Sequence, residues 1–121
     1  MTPEQWAESV VGLPYRDRED GPYAFDCFGL AMDYVRRVLG LKCDMTGYHT
    51  GVAFADLLAC ADGWQQCDNG MVLCAFVGDE PTHIGVKVGQ YVIHSYGRDA
   101  GGQVFRHRFR AFERLFPDYK V

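Results

Sequence analysis

His83-Ile84-Gly85-Val86-Lys87-Val88-Gly89-Gln90-Tyr91-Val92-Ile93-His94 alternates apolar and polar or small residues on either side of a two-residue break, the pattern of a β-hairpin. Glycine in the first turn position suits a type II′ turn, which makes Gly89-Gln90 the turn and fixes the register. Val88 then faces Tyr91, Val86 faces Ile93 and Gly85 faces His94. Ile84, Val86, Val88 and Ile93 turn to the core, while His83 and His94 project from one face as diagonal neighbours about 7–8 Å apart along the backbone. Gly85 opposite His94 places no side chain between the two rings.

Outward from the hairpin, strand periodicity extends over 71–77, 82–88, 91–96 and 104–108, separated by glycine-rich breaks. The stretch 109–121 reads as a helical turn and a short edge strand. The earlier half is helical. Thr2, Pro3 and Gln5 have the spacing of a capping box for a helix through about Val11, closed by Gly12 and Pro14. Asp26 is an N-cap for a second helix carrying Leu30, Tyr34, Val35 and Val38 on one face, with Arg36 and Arg37 in its last turn and Gly40 beyond. Residues 54–60 read as a shorter helix; 44–51 and 61–70 read as loops, and the charged stretch 15–25 as a surface loop flanking a groove. Helices followed by strands in 121 residues give one α+β domain with an antiparallel sheet.

A formal charge of −4 gives no general attraction to nucleic acid, although Arg106, Arg108, Arg110 and Arg114 are locally basic. No apolar run has the length of a membrane span. The first residues, with Glu4 and Glu8, lack the basic start and apolar run of a secretory signal, so synthesis in the cytoplasm without Sec-dependent export is the expectation. Cys27, Cys43, Cys60, Cys67 and Cys74 are odd in number and show no short C-x₂₋₄-C spacing for zinc; all but Cys27 read as small hydrophobes.

Cys27 follows the proposed cap directly, where free N–H groups and the helix dipole favour a thiolate and later an oxyanion. Together with a protonated histidine, such placement can bring a thiol from about 8.5 to roughly 3.5–7.5. Gly29 would keep the approach to those N–H groups uncluttered. The same-face pair His83 and His94 supplies a base and a group to orient it. His49 and His107 lack that support and read as surface residues.

Taken together, Leu13-Pro14-Tyr15-Arg16, Phe25-Asp26-Cys27-Phe28-Gly29-Leu30, His83-Ile84-Gly85-Val86-Lys87-Val88-Gly89 and Val92-Ile93-His94 resemble, in order, the NlpC type of papain-like cell-wall peptidases. The resemblance implies a papain-like fold with Cys27 as nucleophile, His83 as general base and His94 as its orienting residue. It also implies that the Tyr15 hydroxyl assists the oxyanion and that Asp26 contacts the substrate, although core packing would explain Tyr15 and capping alone would explain Asp26. The implied reaction is hydrolysis of a peptidoglycan stem peptide at the γ-D-glutamyl–diaminopimelate bond, without metal or cofactor. Phe28 stands where many secreted members have serine, a feature of short phage-tail members, which implies other tail proteins as partners and action at the virion tail or cell wall. The hairpin is also slightly shorter than in the secreted members. Arg16, Arg18, Lys87 and Arg98 are candidate cations for the stem carboxylates. A tail-tip assembly protein that retains the hydrolase fold, and an acyl or amide transferase using the same Cys-His chemistry, are the competing readings.

Overall fold

The computed structural model of the chain describes residues 1–42, 45, 48, 72–77, 80–97 and 101–120. The expected helix at 54–60, His49, Arg98 and three of the cysteines (Cys43, Cys60 and Cys67) lie outside them. Helix α1 spans Pro3–Val10 and is held at its start by the expected capping box: Gln5 N–H donates to Thr2 Oγ1 at 3.1 Å, and Thr2 N–H to Gln5 Oε1 at 2.9 Å. Helix α2 spans Cys27–Arg37 and begins where Asp26 Oδ1 accepts the Gly29 N–H at 2.7 Å. A cap of this kind stabilises a helix by about 1 kcal/mol.

α1 docks on α2 through Trp6, whose ring meets Tyr34 edge-on at 4.9 Å and whose Nε1–H donates to buried Asp33 at 2.9 Å. Arg37 closes on the same carboxylate at 3.0 Å. The charge of Asp33 is thus paired and hydrogen-bonded as well as buried, the condition under which an interior carboxylate is tolerated.

Five antiparallel strands follow: β1 (Val72–Val77), β2 (Glu80–Val88), β3 (Tyr91–Tyr96), β4 (Gln103–Arg108) and β5 (Tyr119–Lys120), in the order β4-β3-β2-β1-β5. Helix α3 (Phe109–Leu115) precedes β5, which takes the expected place at the sheet edge. The hairpin register is as read from its turn, with Val86 opposite Ile93 and Val88 opposite Tyr91. Ile84, Val86, Val88, Ile93 and Val104 join the core formed with α1 and α2. The opposite face carries Leu73 and Val92 against Phe112 of α3. Each side of the sheet therefore has an apolar cover, and His83 and His94 stand on the α3 side.

Gly29 serves a different purpose from the one expected of it. A Cβ there would lie 2.4 Å from the Glu19 carbonyl oxygen and 2.9 Å from Asp20 Cα. The glycine lets the 15–25 loop cross α2 in contact with its backbone. Gly29→Ala must move that backbone, and the overpacking is expected to cost about 1–3 kcal/mol, read as a lowered urea midpoint with unchanged slope.

Candidate active site

The first turn of α2 lies beside the start of β2, and between them opens a cleft of about 400 Å³ lined by Tyr15, Cys27, Thr82, His83, Ser95, Tyr96, Gly97 and Phe116. Two residues 56 positions apart in the chain, Cys27 and His83, thus face one space. The backbone N–H groups of Ile84, Phe28 and Cys27 are directed at the sulfur. Ile84 follows His83 in sequence, so this contact ties the sulfur to the histidine's own strand.

Behind His83 stands His94, with His83 Nε2 and His94 Nδ1 2.9 Å apart. Gly85 makes that approach possible: a Cβ there would come within 3.3 Å of His94 Cβ and 2.7 Å of Val92. Phe116 stacks on the His83 ring, with centroids 4.3 Å apart and planes 14° from parallel, and Tyr96 meets it edge-on at 5.5 Å. His83 is 5% exposed and His94 fully buried. Burial pushes His83 down to about 3, and burial followed by its two histidine neighbours pushes His94 down to about 2. Both rings are neutral at pH 7.

The thiol departs from expectation. Burial of its sulfur, and next the Asp26 carboxylate beside it, push Cys27 up to about 12 against the pull of the three N–H groups. The helix terminus was expected to lower it. Desolvation outweighs the terminus because Cys27, although it is only half-buried and lines the cleft, is closely surrounded by protein, and the cap that builds the helix start also places a carboxylate next to it. The resting pair is a neutral thiol and a neutral imidazole.

Tyr15 lines the cleft, but its hydroxyl donates to Asp17 Oδ1 at 2.9 Å. Its pKa is raised by burial first, then by this bond and by Cys27. Serving an oxyanion would require that bond to be released. Asp26 is not among the residues lining the cleft. Its Oδ1 takes Gly29 N–H and its Oδ2 takes Arg18 N–H at 2.9 Å, with Tyr48 close by, so its carboxylate serves the cap and the loop and the expected substrate contact gains no support.

Of the candidate cations, Arg18 reaches the Tyr48 carbonyl at 3.3 Å, Lys87 lies over the Phe109 ring at 5.3 Å, and Arg16 is exposed and does not line the cleft. Phe28 stacks on Tyr48 at 5.5 Å, within the core.

His107 corrects the reading of that residue as a surface histidine. It is partly buried, and its Nδ1 lies 2.8 Å from His94 Nε2. The alternation Arg106-His107-Arg108 puts the imidazole on the face opposite its exposed neighbours, which is the signal that would have found it. Ser95 was also missed: fully buried, it donates to the Phe25 carbonyl at 2.6 Å and joins the strand of His94 to the approach of Cys27.

No family model matches the chain, and no curated protein does either. Among solved structures, the NlpC/p60 domain of the peptidoglycan hydrolase SagA superposes with a TM-score of 0.61 at 20% identity, over 98% of this chain and 93% of that one. The chain therefore has the NlpC/p60 fold, an α+β, papain-like arrangement of helices on an antiparallel sheet.

Proposed function

We propose that the chain is a cysteine peptidase that hydrolyses the stem peptides of peptidoglycan. The observation that carries this reading is the shared cleft of Cys27 and His83, with His94 hydrogen-bonded behind the base. In it, the Cys27 thiol gives its proton to His83 Nδ1, the nitrogen not engaged by His94, as the sulfur attacks the scissile carbonyl. The N–H groups of Cys27 and Phe28, which are directed at the sulfur in the resting site, are placed beside the attacked carbonyl to receive the oxyanion. The protonated His83 then passes its proton to the leaving amine, and water attacks the thioester by the same route in reverse.

The NlpC/p60 fold and the ordered motifs support a cell-wall substrate. We extend the proposal to the γ-D-glutamyl–diaminopimelate bond and to delivery with phage tail proteins. The second rests on Phe28 alone, a side chain that also has a packing role. Digestion of sacculi is expected to release stem-peptide fragments with new amino termini, identified by mass spectrometry. An intact protein that releases nothing from walls of several chemistries sinks the reading, and products bearing an added amine acceptor would identify a transferase.

The elevated thiol favours a second reading, a tail-tip assembly protein with a dormant site. Iodoacetamide separates the two. A working pair that is neutral at rest alkylates Cys27 at a rate that climbs with pH, without a plateau between about pH 5 and 7, and the rate drops in His83→Ala. Equal rates in the two proteins would favour the dormant site, and a plateau would reveal a preformed thiolate–imidazolium pair at odds with the burial of both groups.

A further inference from the structure

Three imidazoles stand in file across β2, β3 and β4. His83 Nε2 meets His94 Nδ1 at 2.9 Å, and His94 Nε2 meets His107 Nδ1 at 2.8 Å. A neutral imidazole carries one hydrogen, on one of its two nitrogens. With both contacts hydrogen-bonded, one choice of direction fixes all three rings. Pointing outward, every ring is protonated on Nε2 and His83 Nδ1 is bare. Pointing inward, every ring is protonated on Nδ1, and His83 can no longer accept a proton there. Any mixture sets two hydrogens or two lone pairs against each other.

We propose that His107 is a positioning residue that holds this file in the outward direction, keeping His83 Nδ1 bare for the Cys27 proton. The inference rests on the reading of Cys27 and His83 as nucleophile and base. Its physical ground is the isolation of His94, which is fully buried and held edge-on by Phe112 at 5.3 Å. In the outward direction the Nε2–H of His94 has its acceptor in His107 Nδ1, 2.8 Å away. A buried N–H left without an acceptor costs about 1–3 kcal/mol, so removal of that acceptor returns the hydrogen to His94 Nδ1, drives it toward His83 Nε2 and leaves the hydrogen of His83 on Nδ1.

His107 suits the outer end of the file. It is the least buried of the three, so water takes its Nε2–H, and its ring lies parallel to Phe105 at 5.1 Å with planes 10° apart, which restrains its rotation. The proton balance is simple. The S–H bond breaks as an N–H bond forms at His83 Nδ1, that proton leaves with the amine, and the two hydrogens inside the file stay where they are. No residue of the file except His83 need touch substrate.

Two-bond ¹H–¹⁵N spectra of the histidine side chains at neutral pH test this directly. Wild type is expected to show His83, His94 and His107 as Nε2–H tautomers. His107→Leu is expected to move His83 and His94 toward Nδ1–H and to slow alkylation of Cys27 at least about tenfold, since a base held in the wrong tautomer can cost far more than that. His107→Gln, whose carbonyl can accept the His94 hydrogen, is expected to keep the wild-type tautomers and most of the rate.

An Nδ1–H on His83 in wild type, or unchanged His83 and His94 signals in His107→Leu, overturns the proposal. Should the leucine variant fail to fold, the wild-type spectrum and the glutamine variant decide. The spectra involve no wall substrate. A protein with outward tautomers that cleaves no wall loses only the hydrolase reading; one that cleaves walls with His83 protonated on Nδ1 loses only this one.

Discussion

Cys27→Ala is expected to lower stem-peptide release from sacculi by at least about 10³-fold while leaving the fold intact. Cys27 brings the one thiol among the residues lining the cleft; the Ser95 and Thr82 hydroxyls there donate to the Phe25 and Ala75 carbonyls. Without the sulfur, water would have to attack the carbonyl with no covalent intermediate. His83→Ala is expected to fall by a comparable factor, because a thiol pushed up to about 12 does not ionise without a base. The double variant should be scarcely worse than either single one, since nucleophile and base act as a unit. Loss of the thiol at the cleft wall should change the unfolding free energy from urea titration by about 1 kcal/mol or less, which separates chemistry from folding. Cleavage that persists in Cys27→Ala would place the chemistry elsewhere.

The second large effect is on stability in mild acid. His83 and His94 both have folded-state pKa values far below that of an unfolded histidine, about 6.5. Groups depressed on folding contribute stability that is complete above the unfolded value and is lost as pH falls toward the folded one. At about 1.4 kcal/mol per unit, a single such ring forfeits on the order of 3 kcal/mol between pH 6.5 and 4.5. The two rings share a hydrogen bond, so protons enter the pair and the losses do not simply add. Asp26, raised by burial, acts in the opposite sense, taking up its proton more readily in the folded state and offsetting part of the loss as pH falls.

Urea midpoints measured from pH 7.5 to 4.5 should therefore fall steeply in wild type and less steeply in His83→Gln, which cannot titrate. Parallel profiles would show that the buried imidazoles do not govern acid unfolding.

Much of this architecture was legible because it is specified locally. Thr2 with Gln5, and Asp26 with the apolar spacing of Leu30, Tyr34 and Val35, mark two helix starts within a few residues of sequence. Gly89-Gln90 fixes one hairpin register, and that register alone brings His83 and His94 together. His107 was not legible in the same way, because its strand joins through a longer connection whose length sets no register. The place of Phe116 over His83 depends on how α3 lies across the sheet, which no short motif encodes.

The thiol was misjudged for a related reason. A helix start is visible in sequence and pulls the pKa down. Burial acts through tertiary packing, which no short motif displays, and it had the larger effect.

The bond from Ser95 to Phe25 determines how the cleft can admit a guest. A buried hydroxyl gripping the main chain two residues before Cys27 rivets the helical half of the site to the sheet half. Entry by parting those halves, as a jaw opens, would have to break that rivet. The rim offers an easier route: Tyr96, 42% exposed, and the half-buried Phe116 meet edge-on there at 5.4 Å, side chains whose displacement breaks ring contacts but no hydrogen bond to the main chain. A guest then meets two aromatic side chains at the mouth, while the backbone that carries sulfur and imidazole is held together behind them.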